Sequence, residues 1–460
     1  MFSVLSQTNS FIRITRQYIA LLRHLQVTEA FFPSTRLPTY AEAVYQSVCS
    51  MAELSVQSLM HWLDQCPTPF HVVEHAGTVL SNAGYSATNS LTNDIPVKGY
   101  LSLDGAIVAW HMGTPSGSLR IVGAHTDSPN LRVRPNPDIV TAGWSQLGVE
   151  IYGGVLLNSW LDRDLGIAGR VIDAGGTAHL FSVTSPVARI PQLAIHLDRE
   201  ISERGLLLDR QQHMNPVWGL SAPSFTEWLR SVTGVDAVSY DAHLFDITPA
   251  QLVGNKQEFL ASARLDNQVS CWAAVEALAA SPSSDDTYII ILNDHEEVGS
   301  ESNRGAAGPL LANVISRIAD QHSLSGGARF DRAEKSWCLS ADNAHAIHPN
   351  YTERHEPLHA PRPNAGPALK LNGNQRYATS ARGAAHLTAV AKEAQIPLQT
   401  FVSRNNMPCG STIGPITATT LGIEAIDIGV PQLSMHSARE MCGSEDPVML
   451  AKLMQTFFAK

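Results

Sequence analysis

The 460-residue chain lacks three things, and each absence removes a class of protein. It has six cysteines (Cys49, Cys66, Cys271, Cys338, Cys409, Cys442), widely scattered and never in Cys-x-x-Cys spacing. That excludes a disulfide framework and a thiolate zinc site, and reads as reduced thiols in a cytosolic-type compartment. There is no long uncharged apolar run of membrane length, so no membrane partner is expected. There is no excess of positive charge: 32 Lys and Arg face 42 Asp and Glu, a formal net charge of −10. A nucleic-acid partner is therefore not expected. What remains is a soluble chain of ordinary composition, long enough for two or three domains. Its 18 histidines favour metal chemistry.

Residues 1–50 differ from the rest of the chain. They carry Arg13, Arg16, Arg23 and Arg36 against only Glu29 and Glu42, and Phe11, Ile14, Tyr18, Leu22 and Leu25 fall at helical spacing. An Arg-bearing, acid-poor leader fits organelle import. The simpler reading is an extension, or an upstream start codon preceding a start at Met51, because Met51 opens a well-formed amphipathic helix. The expected location is the cytoplasm, with import by the leader as the alternative.

From Met51 the pattern is α/β. A helix is predicted from Leu54 to Cys66, stopped by Pro67 and Pro69, and another from His71 to about Ala83. Strands are predicted at Ala106–His111 and Leu119–Gly123, the second delivering His125-Thr126-Asp127. Asp127 can fix the tautomer of His125, although a lone histidine there is more commonly a hydrogen-bonded structural residue. Residues 131–255 change texture, with short alternating runs, Gly/Pro turns and one helix near Ser224–Val232. Within them residues Tyr152 to Arg170, with the dense polar run Asn158 to Asp164, are either a surface turn or an interface loop that reaches an active site. The fold class expected is α/β: a central mixed sheet flanked by helices, of zinc-peptidase type. Residues 51–130 and 256–460 would form this catalytic domain, and 131–255 an inserted, mainly β dimerisation domain.

The most informative stretch is Thr287 to Ser300. A β-branched apolar run, Thr287 to Leu292, predicts a buried parallel strand, and Asp294, Glu296 and Glu297 come just after it. In an open α/β sheet, ligands sit beyond the carboxyl ends of the strands. Two further apolar runs end alike: Ser336–Ala341 leads to Asp342 and His345, and Ala425–Val430 leads to His436. Asp266 stands just before an Ala-rich helical stretch, Gln268 to Ala280, where an N-cap is the simpler account.

Taken jointly, His125, Asp266, one Glu, Asp342 and His436 suit a pair of metal ions. Imidazole and carboxylate without thiolate favour two Zn2+, with Mn2+ or Co2+ as alternatives. A bridging carboxylate holds such ions about 3.5–4 Å apart. Zinc brings the pKa of water toward neutrality, and the Glu not needed as ligand can pass a proton to a leaving amine. This is the chemistry of a peptide hydrolase.

In these motifs the chain resembles the M18 family of metallo-aminopeptidases, the aspartyl aminopeptidase group, and most nearly its bacterial-type branch. The resemblance runs from about Leu54 to Phe458. It is carried by His125-Thr126-Asp127-Ser128-Pro129, Leu265-Asp266-Asn267, Asp294 to Ser300, Ala341 to His345, Asn374 to Thr379, Pro408 to Pro415 and Met435-His436-Ser437. It implies His125 and Asp342 on one metal, Glu297 and His436 on the other, and Asp266 bridging. It implies Glu296 as general base and Asp127 as the residue orienting His125. Substrate binding would fall to His345, Lys370 and Tyr377, with Lys370 the fixed charge behind a preference for N-terminal Asp or Glu. It also implies a homo-oligomer in which dimers, formed by the insertion, assemble into a dodecamer. Eukaryotic members have a histidine where Asn158 stands; Asn158 keeps a hydrogen-bond donor but cannot become charged.

The expected activity is a dinuclear zinc aminopeptidase acting on peptides, with the acidic preference as its finer part. A co-catalytic zinc deacylase or carboxypeptidase is the nearer alternative. A non-catalytic assembly or cargo protein on the same fold is the other; it predicts lost ligands, and all five stand in the sequence.

Overall fold

The apolar run Thr287–Leu292 forms the strand it predicts, and its two faces explain the lack of alternation. Tyr288, Ile290 and Leu292 enter one core with Leu59, Trp62 and Trp272, while Ile289 and Ile291 enter another with Val314 and Ile318. A strand covered on both sides reads as a continuous apolar segment. The computed structural model describes residues 54–460. The expectations for residues 1–50, and for a start at Met51, lie outside the described residues.

Nine strands make the main sheet: β1 (Ser86–Ala87), β2 (Lys98–Leu103), β3 (Ala106–His111), β4 (Leu119–His125), β5 (Thr287–Asn293), β6 (Trp337–Ala341), β7 (Ala368–Leu371), β8 (Gln399–Val402) and β9 (Glu424–Gly429). Their spatial order is β1-β2-β3-β5-β4-β6-β9-β7-β8. The four central strands, β5, β4, β6 and β9, are mutually parallel. Asn293 pairs with His125, and Ala341 with Ile428, so their carboxyl ends share one edge. That edge is where an open sheet places its ligands.

Helix Val56–Gln65 starts at Ser55, whose hydroxyl accepts the Ser58 N–H, and it buries Leu59, Trp62 and Leu63. The second helix begins at Pro69 and not at His71, running to Asn82. Proline lacks only an N–H that the first turn leaves unbonded anyway, so Pro69 starts this helix as well as closing the approach to it.

Six antiparallel strands within residues 130–246 form a second sheet, in the order Ala178–Ala188, Leu165–Ile172, Ser239–Asp246, Asn130–Thr141, Trp144–Tyr152, Val217–Gly219. Its core is built largely from its own residues, Leu147, Ile167, Phe225 and Leu244 among them. Helix Phe225–Thr233 carries a capping box: Ser224 and Glu227 bond each other's backbone N–H. A third sheet was not anticipated. Of its five short strands, Gln251–Val253, Phe259–Ser262, Glu440–Gly443, Pro431–Leu433 and Ala344–His345, the last two follow closely on the ends of β9 and β6 respectively. Among the described residues, no helix is long and apolar enough to cross a membrane.

Candidate metal centre

His125 ends β4, 1% exposed, with its ring held on the far side from the site. Its Nδ1 lies 3.1 Å from the Asp127 carbonyl oxygen and 3.3 Å from Asp127 Oδ1. The backbone carbonyl is thus the nearer acceptor for an Nδ1–H, which leaves Nε2 free to bind a cation. The Asp127 side chain has a wider task than orienting this ring. Its Oδ1 accepts the Glu296 N–H at 3.1 Å; its Oδ2 accepts the Glu297 N–H at 3.1 Å and the Tyr152 hydroxyl at 2.7 Å. Asp127 fixes the turn that presents both glutamates.

Asp266 is not an N-cap. The helix Leu265–Ala280 has non-helical backbone at Asp266 and Asn267, and no side chain caps it. The carboxylate instead faces two histidines. His125 Nε2 is 3.5 Å from Asp266 Oδ1, and His436 Nε2 is 3.4 Å from Asp266 Oδ2. His125 Nε2 is also 3.7 Å from Asp342 Oδ1, and His436 Nε2 is 3.4 Å from Glu297 Oε2. Of three candidate ligand clusters, His125–Glu296–Glu297 is one, and the other two, His125–Asp266–Asp342 and Asp266–Glu297–His436, share Asp266. Glu296 stands beside both, its Oε2 4.0 Å from His125 Nε2.

These separations exceed the 2.7–3.2 Å of a good N–H···O bond. Ligands arranged tetrahedrally at zinc distances of 2.0–2.2 Å would lie about 3.3–3.6 Å apart. Two buried oxygens, Asp266 Oδ1 and Glu297 Oε1, have no hydrogen-bond partner. A buried acceptor without a partner costs about 1–3 kcal/mol, more when charged. The donor set, the spacing and the orphaned oxygens all fit divalent cations, and the absence of sulfur fits zinc or a harder ion.

Electrostatics agree. Burial, reinforced by the neighbouring Asp266, pushes the Glu297 carboxyl well above its ordinary value. Burial and the carboxylates of Asp342, Asp127 and Asp266 bring Glu296 up to about 7, against the pull of His125. For His436, burial favours the neutral ring, but Asp266 and Glu297 outweigh it and raise the imidazole to about 10. So many carboxylates converge that a proton or a cation must offset them.

Several positioning residues escaped sequence reasoning. The two Asp-Asn pairs divide their labour: Asp266 and Asp342 face the site, while Asn267 Nδ2 donates to the Ala341 carbonyl and Asn343 Nδ2 to the Leu265 carbonyl, each at 2.8 Å. This reciprocal tie sets the distance between two ligand-bearing segments. The repeated Asp-Asn was the one available signal. Arg264 donates to the carbonyls of Leu63 and Cys66, fastening the approach to Asp266 onto the end of the first helix.

The insertion also enters the site, through Tyr152 and the two glycines after it. His436 Nδ1 lies 3.2 Å from the Gly154 carbonyl oxygen. A Cβ on Gly154 would come to 3.0 Å of that nitrogen, and one on Gly153 (φ +74°) to 3.1 Å of Glu297 Cβ. Only glycine tolerates that backbone and that approach together. The next turn is tied down too: Leu156 N–H donates to the His436 carbonyl, and Ala438 N–H to Ser159 Oγ. Asn158, in the 3-10 turn Leu157–Trp160, is exposed and lies outside both ligand groups.

Among the expected substrate-binding residues, His345 is exposed and stacks edge-on against Phe401. Tyr377 is buried beneath the Lys370 ammonium, which lies 4.9 Å from its ring centre. Lys370 does not fit its expected role as a free cation for acidic side chains. It is 2% exposed, and Nζ donates to the Asp342 carbonyl at 2.9 Å, the Asn343 carbonyl at 3.0 Å and Asp342 Oδ2 at 3.3 Å. An ammonium has three N–H donors, and here all three are engaged.

Comparison with known proteins gives a consistent picture. The family model described as aminopeptidase I zinc metalloprotease (M18) matches residues 62–458. A protein of Streptomyces coelicolor named "Probable M18 family aminopeptidase 2" is 47% identical over 420 residues, covering 87% of this chain and 96% of its own length. Among solved structures, the chain is similar to a chain of the Ape4 and Nbr1 complex, at TM-score 0.83 and 32% identity, covering 92% of this chain and 87% of that one. It is also similar to the S. cerevisiae mApe1 dodecamer, at TM-score 0.75 and 28% identity, with 88% and 96% covered.

Proposed function

We propose a reaction from one premise: the chain belongs to the M18 family of zinc metallo-aminopeptidases. It releases the N-terminal residue from peptides with two zinc ions per chain. His125 and Asp342 would hold one and Glu297 and His436 the other, with Asp266 common to both groups. The observation that carries this reading is the pair of ligand groups sharing Asp266 at separations of 3.4–3.7 Å.

When bound, the zinc ions polarise the scissile carbonyl and lower the pKa of water. The remaining work falls to the chain. Glu296, next to both groups and bonded to neither histidine, takes a proton from water and returns it to the leaving amine. Asp127 keeps Glu296 and Glu297 on opposite duties by holding both of their N–H groups. His345, at the exposed rim, donates to the substrate carbonyl, and Tyr377 packs below it. Lys370 serves the reaction by holding Asp342 in place.

A preference for N-terminal Asp or Glu is supported by the family resemblance, and its source is a group other than Lys370. The insertion pairs two chains, and such pairs build a larger assembly; that one similar solved structure is a dodecamer supports this. Exposed Leu193, Ile195 and Leu197, close together in the sequence of the insertion, support this, since exposed apolar side chains grouped in one place mark association surfaces. Asn158, exposed in a turn tied down at Leu156 and Ser159, is assigned the contact to a neighbouring subunit.

Free-amine peptides and their N-acetylated forms test the reading directly. An aminopeptidase cleaves the first set and spares the second. Equal rates on both would reassign the site to a deacylase or carboxypeptidase.

A further inference from the structure

One buried carboxylate beside the metal centre is used by no step above. Glu440 opens the strand Glu440–Gly443 and is 2% exposed. Its Oε2 accepts the Asp266 N–H at 2.9 Å, and its Oε1 accepts the His436 N–H at 2.6 Å. One side chain therefore spans the bridging ligand and a terminal ligand that lie far apart in sequence. The span also fixes a strained residue. His436 has φ +68°, a left-handed conformation that disfavours any residue with a Cβ. Glu440 holds its N–H, and Leu156 N–H holds its carbonyl.

The arrangement is lopsided. In the Asp266–Glu297–His436 group, two of three backbones rest on Glu440; in the His125–Asp266–Asp342 group, only one does. A carboxylate is an expensive filler at such a place, since burying it next to Asp266 sets like charges together. Glutamine would not replace it, because both partners are donors and a side-chain amide offers one acceptor and one NH2.

We propose that Glu440 is a positioning residue that builds the Glu297–His436 half of the metal centre before any ion arrives, and so sets the affinity of that half. This inference rests on the two-ion reading above. The test titrates metal-stripped full-length protein with zinc against a competing chelator, comparing wild type with Glu440→Gln. Wild type is expected to take up two ions per chain. In the variant, one step stays within a few-fold of wild type and the other weakens by about 10–100-fold, the range typical for partners that orient ligands. A role in packing alone would lower the melting temperature and leave both zinc steps in place; that result overturns the inference, as does equal weakening of both. A wild type that binds fewer than two ions overturns the two-ion reading itself.

Should Glu440→Gln not fold, amide exchange in metal-free wild type decides the point. Slow exchange at both Asp266 and His436 is expected. Exchange at the rate of open chain at either one refutes a site built in advance.

Discussion

Replacing Lys370 with methionine separates two roles that the residue could have. Methionine keeps much of the length and apolar bulk of the stem but removes the charge and all three donors. The Asp342 carboxylate would lose the ammonium that stands 3.3 Å from it, and the carbonyls of Asp342 and Asn343 would lose donors at 2.9 and 3.0 Å. Breaking a buried pair by removing one partner costs about 3–5 kcal/mol. Both side chains are largely buried, Lys370 at 3% and Asp342 at 12% side-chain exposure, so solvent screening takes little from that figure. The loss divides between folding and zinc binding, because bound zinc offsets part of the charge left on Asp342. We expect zinc affinity at the His125–Asp342 position to fall by about 10–100-fold, the usual effect of losing a group that orients a ligand. Melting temperature should fall with it. The decisive readout is kcat/KM on aminoacyl p-nitroanilides with Asp, Glu, Leu and Ala. At saturating zinc, all four should fall by a common factor. A drop confined to Asp and Glu substrates, with zinc binding intact, would refute the reasoning and restore Lys370 as the residue that recognises acidic side chains.

The same geometry carries three other expected outcomes. Glu296→Gln should retain its zinc while kcat falls by about 10²–10⁴-fold, the usual contribution of a general base; metal analysis and turnover check both halves. Removing zinc with a chelator should abolish activity, and re-adding it should release protons, because the metal-free His436 is held protonated up to about 10 and must lose that proton to bind. Apparent zinc affinity should therefore rise as pH increases from 7 toward 10, and calorimetry in buffers of different ionisation enthalpy counts the protons. Tyr152→Phe removes one hydrogen bond to a buried carboxylate, worth about 1.5–3 kcal/mol. It should lower kcat/KM on every substrate without changing zinc stoichiometry.

The main sheet and the polar residues at its carboxyl edge were legible because each fact about them is local. Strands buried on both faces must be apolar throughout, as Thr287–Leu292 is, and the polar residues at their carboxyl ends then stand out. Asp266 shows where local reading stops. Seen alone it is an ordinary N-cap; only His125 and His436, brought together by folding, show that its oxygens point elsewhere. Lys370 reads differently in the fold for a related reason. Its charge is visible in sequence, but the carbonyls that use up its donors are backbone atoms of Asp342 and Asn343. Glu440 and Tyr152 were missed because backbone N–H groups and another acid are their partners, and such contacts leave no pattern in the chain. The third sheet was missed because its strands are only two to four residues long.

The hydroxyl of Tyr152 on Asp127, and the Gly154 carbonyl against His436, bear on how this protein can be shortened. By strand pairing, residues 130–246 look like a module that could be excised and the gap closed with a short linker. The excision would take away a donor from the carboxylate that aligns both glutamates, the acceptor beside the His436 imidazole, and the N–H that pins the His436 backbone. A shortened protein made this way would keep every proposed metal ligand and the proposed general base yet lose the contacts that aim them. In this chain the boundary between modules and the boundary of the catalytic apparatus do not coincide.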